Sequence, residues 1–382
     1  MIDSFDNENS DMRIFKLEYM NGRNGQSIVG LSKKIQASFL KPIVTSRYKV
    51  SRGQLIAISA TNNTGIESYA LEILCKPEMK NVFLRSFLRK WNRVLFRDII
   101  KKSVPYQGRL FWRWEFSPKR ADYFYPPDWD DTFKAIDAIS SYREFLKKEI
   151  SLKLPPCGLL YNLIKSTVYY DRTAGQDIKV RCKNGTSLYM FISDIKNKQN
   201  NTEDIMVTAV AIRSILNNYR QISADFLSLL ISLYEKIVEV AEIGINDSIP
   251  FEKLSRCYFS WGLFLMTLLD IEKYIKSKSH RIKSIALRYL RDMRINSLPI
   301  SRLYKNLIVD EINYAKLIAL TISQDPNEHI LCWIHKNPIL EQSVFPPVLY
   351  QHRRLEHYYG NPLWSFLLSI YAMEKESAWS KK

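Results

Sequence analysis

Residues 123–139 read YFYPPDWDDTFKAIDAI, and the change of pattern inside this stretch decides how the chain is organised. Pro126 and Pro127 close an irregular segment. Asp128, Asp130 and Asp131 follow, and carboxylates in a first turn face the free N–H groups of a helix and suit its dipole. Phe133, Ile136, Ile139 and Tyr142 then recur at helical spacing. The pattern predicts a helix that starts near Asp128 or Asp130, runs to about Lys153 and is stopped by Pro155-Pro156.

Upstream, residues 103–128 combine Pro105, Gly108, Pro118, Pro126 and Pro127 with a dense set of aromatic side chains. Among these are Phe111, Trp112, Trp114, Phe116, Tyr123, Phe124 and Tyr125, so an ordered loop is expected, too apolar for a linker. Segments 66–76 and 80–102 carry apolar stripes of helical period. Residues 13–64 mix Gly, Ser and β-branched residues without a clear period and read as an irregular arm. Residues 1–12, rich in Asp, Asn and Ser, read as a disordered N-terminus.

Downstream, residues 155–202 predict a short helix followed by a polar loop. Helical patterns then cover 203–219, 223–243, 254–276, 281–294, 309–323 and 361–374, separated by short polar or proline-bearing turns. Serial amphipathic helices without alternating strands predict an all-α domain over residues 65–376. No unit of 20–50 residues repeats, which disfavours a solenoid.

The 382-residue chain is 46% hydrophobic, enough to build a sizeable core. Glycine is scarce, at 12 residues, which argues against a glycine-rich phosphate-binding scaffold. A formal charge of +17 points to an anionic partner: a diphosphate, a membrane surface or a nucleic acid. The five cysteines are scattered and odd in number, which suits free thiols. The acidic, polar start is no signal peptide, and the longest apolar run is too short to cross a bilayer, so a cytoplasmic location is expected.

Three readings fit the acidic motif. It is an N-terminal helix cap in the first. In the second it is a D-x-D-x-T nucleophile site, but that chemistry needs a parallel strand ahead of the aspartates and a crossover helix behind them, where this chain has two prolines and no βαβ pattern. The third is a proton donor to an alkene. Protonating so weak a base takes a carboxylic acid that keeps its proton at neutrality, and crowded, buried carboxyls do so. The cation formed needs aromatic faces and exclusion of water. Trp112, Trp114, Tyr125 and Trp129 lie close by in sequence and are the candidate lining, unless they are ordinary core aromatics.

On these residues the chain resembles the class II terpene cyclases, the squalene–hopene cyclase-like superfamily. The string P-P-D-W-D-D-T looks like that of single-toroid bacterial members. Residues 201–216, NTEDIMVTAVAIRSIL, are similar to the family segment V-D-x-V-V-N-A-N-V-L, with Asp204, Val207 and Ala209 matching. Residues 359–363, Tyr359, Gly360, Asn361, Pro362 and Leu363, match the family's closing helix. Thr208 and Val210 stand where the family has asparagines, and Trp364 and Ser365 where it has threonines.

The resemblance implies an (α/α)6-type toroid and protonation-initiated cyclisation of an isoprenoid. Asp130 would be the general acid, with Asp128 and Asp131 tuning it. It implies no cofactor, with magnesium entering only if the substrate is a diphosphate. A non-catalytic toroid that binds a prenyl lipid or a partner protein is the alternative.

Two further features stand apart from the motif. His329, Cys332 and His335 do not converge on one helix face, so a buried helix suits them better than a zinc site. Segment 80–102 carries eight Lys/Arg against one Asp, with Arg85, Arg89, Arg93 and Arg97 every four residues. Such a helix either solubilises an outer face or meets an anionic membrane. Nucleic acid is not expected as a partner, since no known binding motif appears.

Overall fold

The computed structural model describes residues 44–51, 54–62, 64–113, 127–167, 204–249, 251, 254–255, 258, 260–275, 281–294, 308–322, 350–352, 357–360 and 362–379. Of the described residues 78% are helical, in ten α-helices with little sheet. The helices are α1 (Thr64–Leu74), α2 (Arg85–Lys101), α3 (Trp129–Leu146), α4 (Cys157–Thr167) and α5 (Ile205–Asn218). They continue with α6 (Ala224–Asn246), α7 (Trp261–Ile275), α8 (Arg281–Arg294), α9 (Ile308–Ile322) and α10 (Pro362–Trp379). Every helix expected from periodicity forms, most within a few residues. The largest differences are α7, which starts at Trp261 and not near residue 254, and α3, which ends at Leu146 because Lys147 turns left-handed at φ 54° and its N–H closes on Arg143 and Glu144. That place is usually taken by glycine, so no sequence signal marks it.

Packing separates the helices into two kinds. α1 packs on α3, α3 on α5, α5 on α7, α7 on α9, α9 on α10, and α10 returns to α1. Of the helices between them in the chain, α2 lies on α1 and α3, α8 on α7 and α9, and α6 on α5 and α8. Burial follows the same division. α3 is buried without interruption from Trp129 to Ile139, and α9 from Glu311 to Leu320. A helix buried all round belongs inside, whereas α2 keeps a charged exposed face.

The inner helices are joined by buried polar contacts as well as by apolar ones. Arg213 of α5 donates to Asp137 of α3 at 2.7 Å and to Glu72 of α1 at 3.3 Å. The backbone N–H of Gly262 in α7 donates to Glu311 of α9 at 2.7 Å. Lys316 of α9 lies 3.5 Å from Glu376 of α10.

Two regions correct the sequence-based expectation. Within the supposed irregular arm, β1 (Val44–Ser51) and β2 (Gln54–Asn62) form an antiparallel hairpin. They join β6 (His357–Gly360) and β5 (Tyr350–His352) in a sheet of order β2-β1-β6-β5. β2 feeds α1 and β6 feeds α10, so the sheet sits where the last inner helix meets the first. Half of this sheet comes from the far end of the chain, a pairing that no local pattern announces. Residues 103–112 are likewise no loop. β3 (Ser103–Tyr106) and β4 (Arg109–Trp112) pair around Gln107 and Gly108, whose φ of 47° and 70° make the tight turn. The disordered N-terminus expected over residues 1–12 lies outside the described residues.

Candidate functional site

The site is assembled at the N-terminus of α3, and β4 holds it in place. The Asp128 N–H donates to the Trp112 carbonyl at 3.0 Å, and the Trp112 N–H donates to Thr132 Oγ1 at 3.1 Å. Trp112 Nε1 reaches back to the Ile99 carbonyl near the end of α2, at 3.0 Å. The threonine that closes the motif thus docks the helix on the strand.

Each aspartate has a different setting. Asp128 is the helix cap: its Oδ1 accepts the Asp131 N–H at 2.7 Å. Asp130 is held from two sides. Lys134, one turn along the same helix, donates to its Oδ2 at 2.6 Å, and the Tyr258 hydroxyl lies 2.6 Å from each of its oxygens. Lys134 is itself buried, with its ammonium 4.6 Å from the centre of the Tyr258 ring and 5.1 Å from that of Tyr69. Both carboxyl oxygens of Asp131 are buried; no N–H or alcohol donor reaches them among the described residues, and the Asp128 carboxyl lies within hydrogen-bonding reach.

Burial dominates the electrostatics. It pushes the Asp131 carboxyl up to about 7, with Lys134 pulling down and Asp130 pushing up. Burial, then the charges of Asp131 and Asp130, raises Asp128 well above the usual carboxylate range. Burial works against the Lys134 cation, but Asp130, Tyr69 and Asp131 outweigh it and raise its pKa. The cluster therefore keeps a carboxylic acid proton near neutrality while it also contains an ion pair.

A second polar chain leads away from Tyr258. Its backbone N–H donates to Ser255 Oγ at 3.2 Å, and that hydroxyl contacts both oxygens of Asp204, at 3.0 and 2.8 Å. Asp204 caps α5 by accepting from the N–H groups of Met206 and Val207. On the other side of the motif, Lys102 pairs with Glu67 of α1 and Asp98 of α2 in a buried triad and lies within electrostatic reach of Asp131.

Of the aromatic side chains expected to line a pocket, Trp112 and Trp129 are fully buried, and Trp129 stacks on Phe133 at 5.4 Å between ring centres. Trp114 and Tyr125 lie outside the described residues, as do His329, Cys332 and His335. Lys134, Tyr258, Ser255 and Lys102 are additions to the motif. Only Lys134 had a visible signal, four residues after Asp130 on a helix face. Among the described residues, no group of three His, Cys, Asp or Glu side chains is placed to hold a metal ion. No helix among them is long and apolar enough to cross a membrane. Set against protein-family models, curated proteins and solved structures, the chain matches none.

Proposed function

We propose that the chain is an isoprenoid-handling α/α toroid of the class II terpene cyclase kind, in which a buried carboxylic acid starts the reaction by protonating an alkene or epoxide. The observation that carries this reading is the Asp128–Asp131 cluster, buried at a helix start with Asp131 shifted to about 7. Such a group is neutral when its neighbours would ordinarily be charged, which alkene protonation requires. The cyclic order of contacts α1–α3–α5–α7–α9–α10–α1 supports the toroid, with α2 and α8 lying across neighbouring pairs of it. The substrate class is an isoprenoid, with or without a diphosphate, and magnesium enters only with the diphosphate. The exposed arginines of α2 suit peripheral contact with an anionic membrane, from which such a lipid would be drawn.

Two observations favour a second reading, a non-catalytic toroid that binds a prenyl lipid or a partner protein. Thr208, in the place of a family asparagine, turns its hydroxyl back to the Asp204 carbonyl at 2.9 Å, and Val210 is core. The ion pair and cap made by Asp130 and Asp128 are also contacts that a purely structural motif would make.

The test is incubation with squalene and a panel of isoprenoid diphosphates, followed by mass spectrometry of the extracts. Cyclised product that disappears when the motif aspartates are replaced supports the enzyme. No product, together with lower stability in those variants, leaves the binding reading.

A further inference from the structure

Resting on the cyclase reading, we infer that Arg213 is a positioning residue that seals the interior of the ring. Together with Asp137 and Glu72 it keeps bulk water at the far end of the inner helices away from a carbocation formed at the motif.

The inner helices involved run in one direction. Thr64, at the start of α1, donates to the Arg113 carbonyl, beside the Trp112 that docks the start of α3. Ser255 and Tyr258, just ahead of α7, reach the starts of α5 and α3. Glu72, Asp137 and Arg213 meet at later turns of α1, α3 and α5. Asp137 lies about two turns beyond Asp130 along α3. The motif is therefore at one end of the ring and the Arg213 contact deeper in.

Arg213 joins helices that are not neighbours. In the ring α3 separates α5 from α1, yet the guanidinium reaches Asp137 at 2.7 Å and Glu72 at 3.3 Å. Asp137 shares a face of α3 with Asp130 and Lys134. The partners of that face, Tyr69 and Tyr258, come from α1 and from just ahead of α7, so it looks into the ring.

Arg213 also stands where this interior changes from dry to wet. On its own face of α5, Met206, Ala209 and Val210 are buried on the motif side, whereas Asn217, one turn further on, is exposed. On α1, Tyr69 is buried, Glu72 half-buried and the Lys76 side chain 37% exposed. The contact is balanced in charge, since Lys76 lies 3.6 Å from Glu72 and Arg213 pairs with both carboxylates. Asn218 donates to the second Asp137 oxygen at 2.5 Å. A buried ionic contact so satisfied can stay closed without leaving a lone charge inside.

Water decides the fate of the cation. Captured by water, it forms a C–O bond, and the added water loses a proton to solvent. Kept dry, it loses a proton from carbon and gives an alkene. Arg213 touches no reacting atom and acts only by holding Asp137 and Glu72 together.

The experiment has two arms, both on the full chain. Val210→Cys places a thiol on the motif side of Arg213, and a small water-soluble thiol reagent reports access to it by mass spectrometry of the peptide. Labelling is expected to be slow in that variant alone and severalfold faster when Arg213→Ala/Asp137→Ala is added. With Arg213→Met/Asp137→Leu, which refills the space with apolar side chains, it should be slow again. Should the alanine pair fail to fold, Arg213→Lys replaces it, since an ammonium cannot fork to both carboxyls. Equal labelling in all backgrounds overturns the seal.

The second arm runs the isoprenoid panel in oxygen-18 water with the same substitutions and without Val210→Cys. The labelled fraction of the product is expected to rise severalfold in the alanine pair and to return in the Met/Leu pair. A lower yield with an unchanged labelled fraction is what a merely structural contact gives, and overturns the water-excluding role. If the wild type forms no product, that role falls with the cyclase reading, while the thiol labelling still decides the seal.

Discussion

The hydroxyl of Tyr258 meets the carboxylate of Asp130 at 2.6 Å across 128 residues of sequence. Through Ser255 the same tyrosine is tied to Asp204, so the starts of α3 and α5 share one polar network. Replacing Tyr258 by Phe keeps the ring over Lys134 and removes only the hydroxyl. A hydrogen bond to a charged group is worth about 1.5–3 kcal/mol. Tyr258→Phe should therefore lower unfolding stability by about 2 kcal/mol in a urea titration, and an unchanged midpoint would show that the contact contributes nothing.

Stability should fall as pH rises through the weakly acid range. Asp131 is raised from 3.8 to about 7 in the fold, chiefly by burial, so the folded chain keeps a proton that the unfolded chain has released. Its contribution is fully present below about pH 4, is lost progressively up to about pH 7 and is flat above, at up to about 1.4 kcal/mol per pH unit for one proton. The raised pKa of Asp128 acts with the same sign. Melting temperatures between pH 4 and 8 should decline in the wild type and decline less in Asp131→Asn. Parallel curves would count against a proton held at this site.

The outer face of α2 provides a test of the membrane contact. Arg85, Arg89, Arg93 and Arg97 are all exposed, whereas Lys102, which closes the same basic segment, is buried against Glu67 and Asp98. The four arginines, with the exposed Lys80, Lys90 and Lys101, are therefore the accessible part of the charge. Binding to vesicles should require anionic lipid and weaken with salt, since exposed charges are screened beyond about 8–10 Å at physiological ionic strength. Replacing all four by Gln should remove it, without loss of folding. Equal binding to neutral vesicles would make the face merely solubilising.

Gly262 marks a close approach between α7 and α9. A Cβ there would overlap the Cβ of Tyr314 and stand 2.9 Å from the Tyr289 hydroxyl, beside the bond from its own N–H to Glu311. The Tyr314 Cβ is fixed to backbone and cannot rotate away. Overpacking costs about 1–3 kcal/mol, against a gain of up to about 1 kcal/mol in helix propensity. Gly262→Ala should destabilise, whereas Gly158→Ala, where nothing lies within 4 Å of the added atom, should be neutral or stabilising. Similar unfolding midpoints for the two variants would refute this crossing.

Helix positions were legible in the sequence because helical order is local. Apolar residues at three and four residues' spacing locate the buried faces, and the acidic first turn at Asp128 announces α3. The crowding of Asp128, Asp130 and Asp131, and with it a retained proton, could also be read from spacing alone. What tertiary structure decided is which carboxyl is held by partners from outside the motif, Asp130 by Lys134 and Tyr258. Tyr258 arrives from another part of the chain, and Lys102 from the preceding helix. Even Lys134, visible at i+4, is an ordinary solvated neighbour until packing buries it and removes the water that would screen the pair. The sheet has the same origin. β1 finds β6 across some three hundred residues, and strand pairing of that kind depends on where the helices have already brought the two ends of the chain.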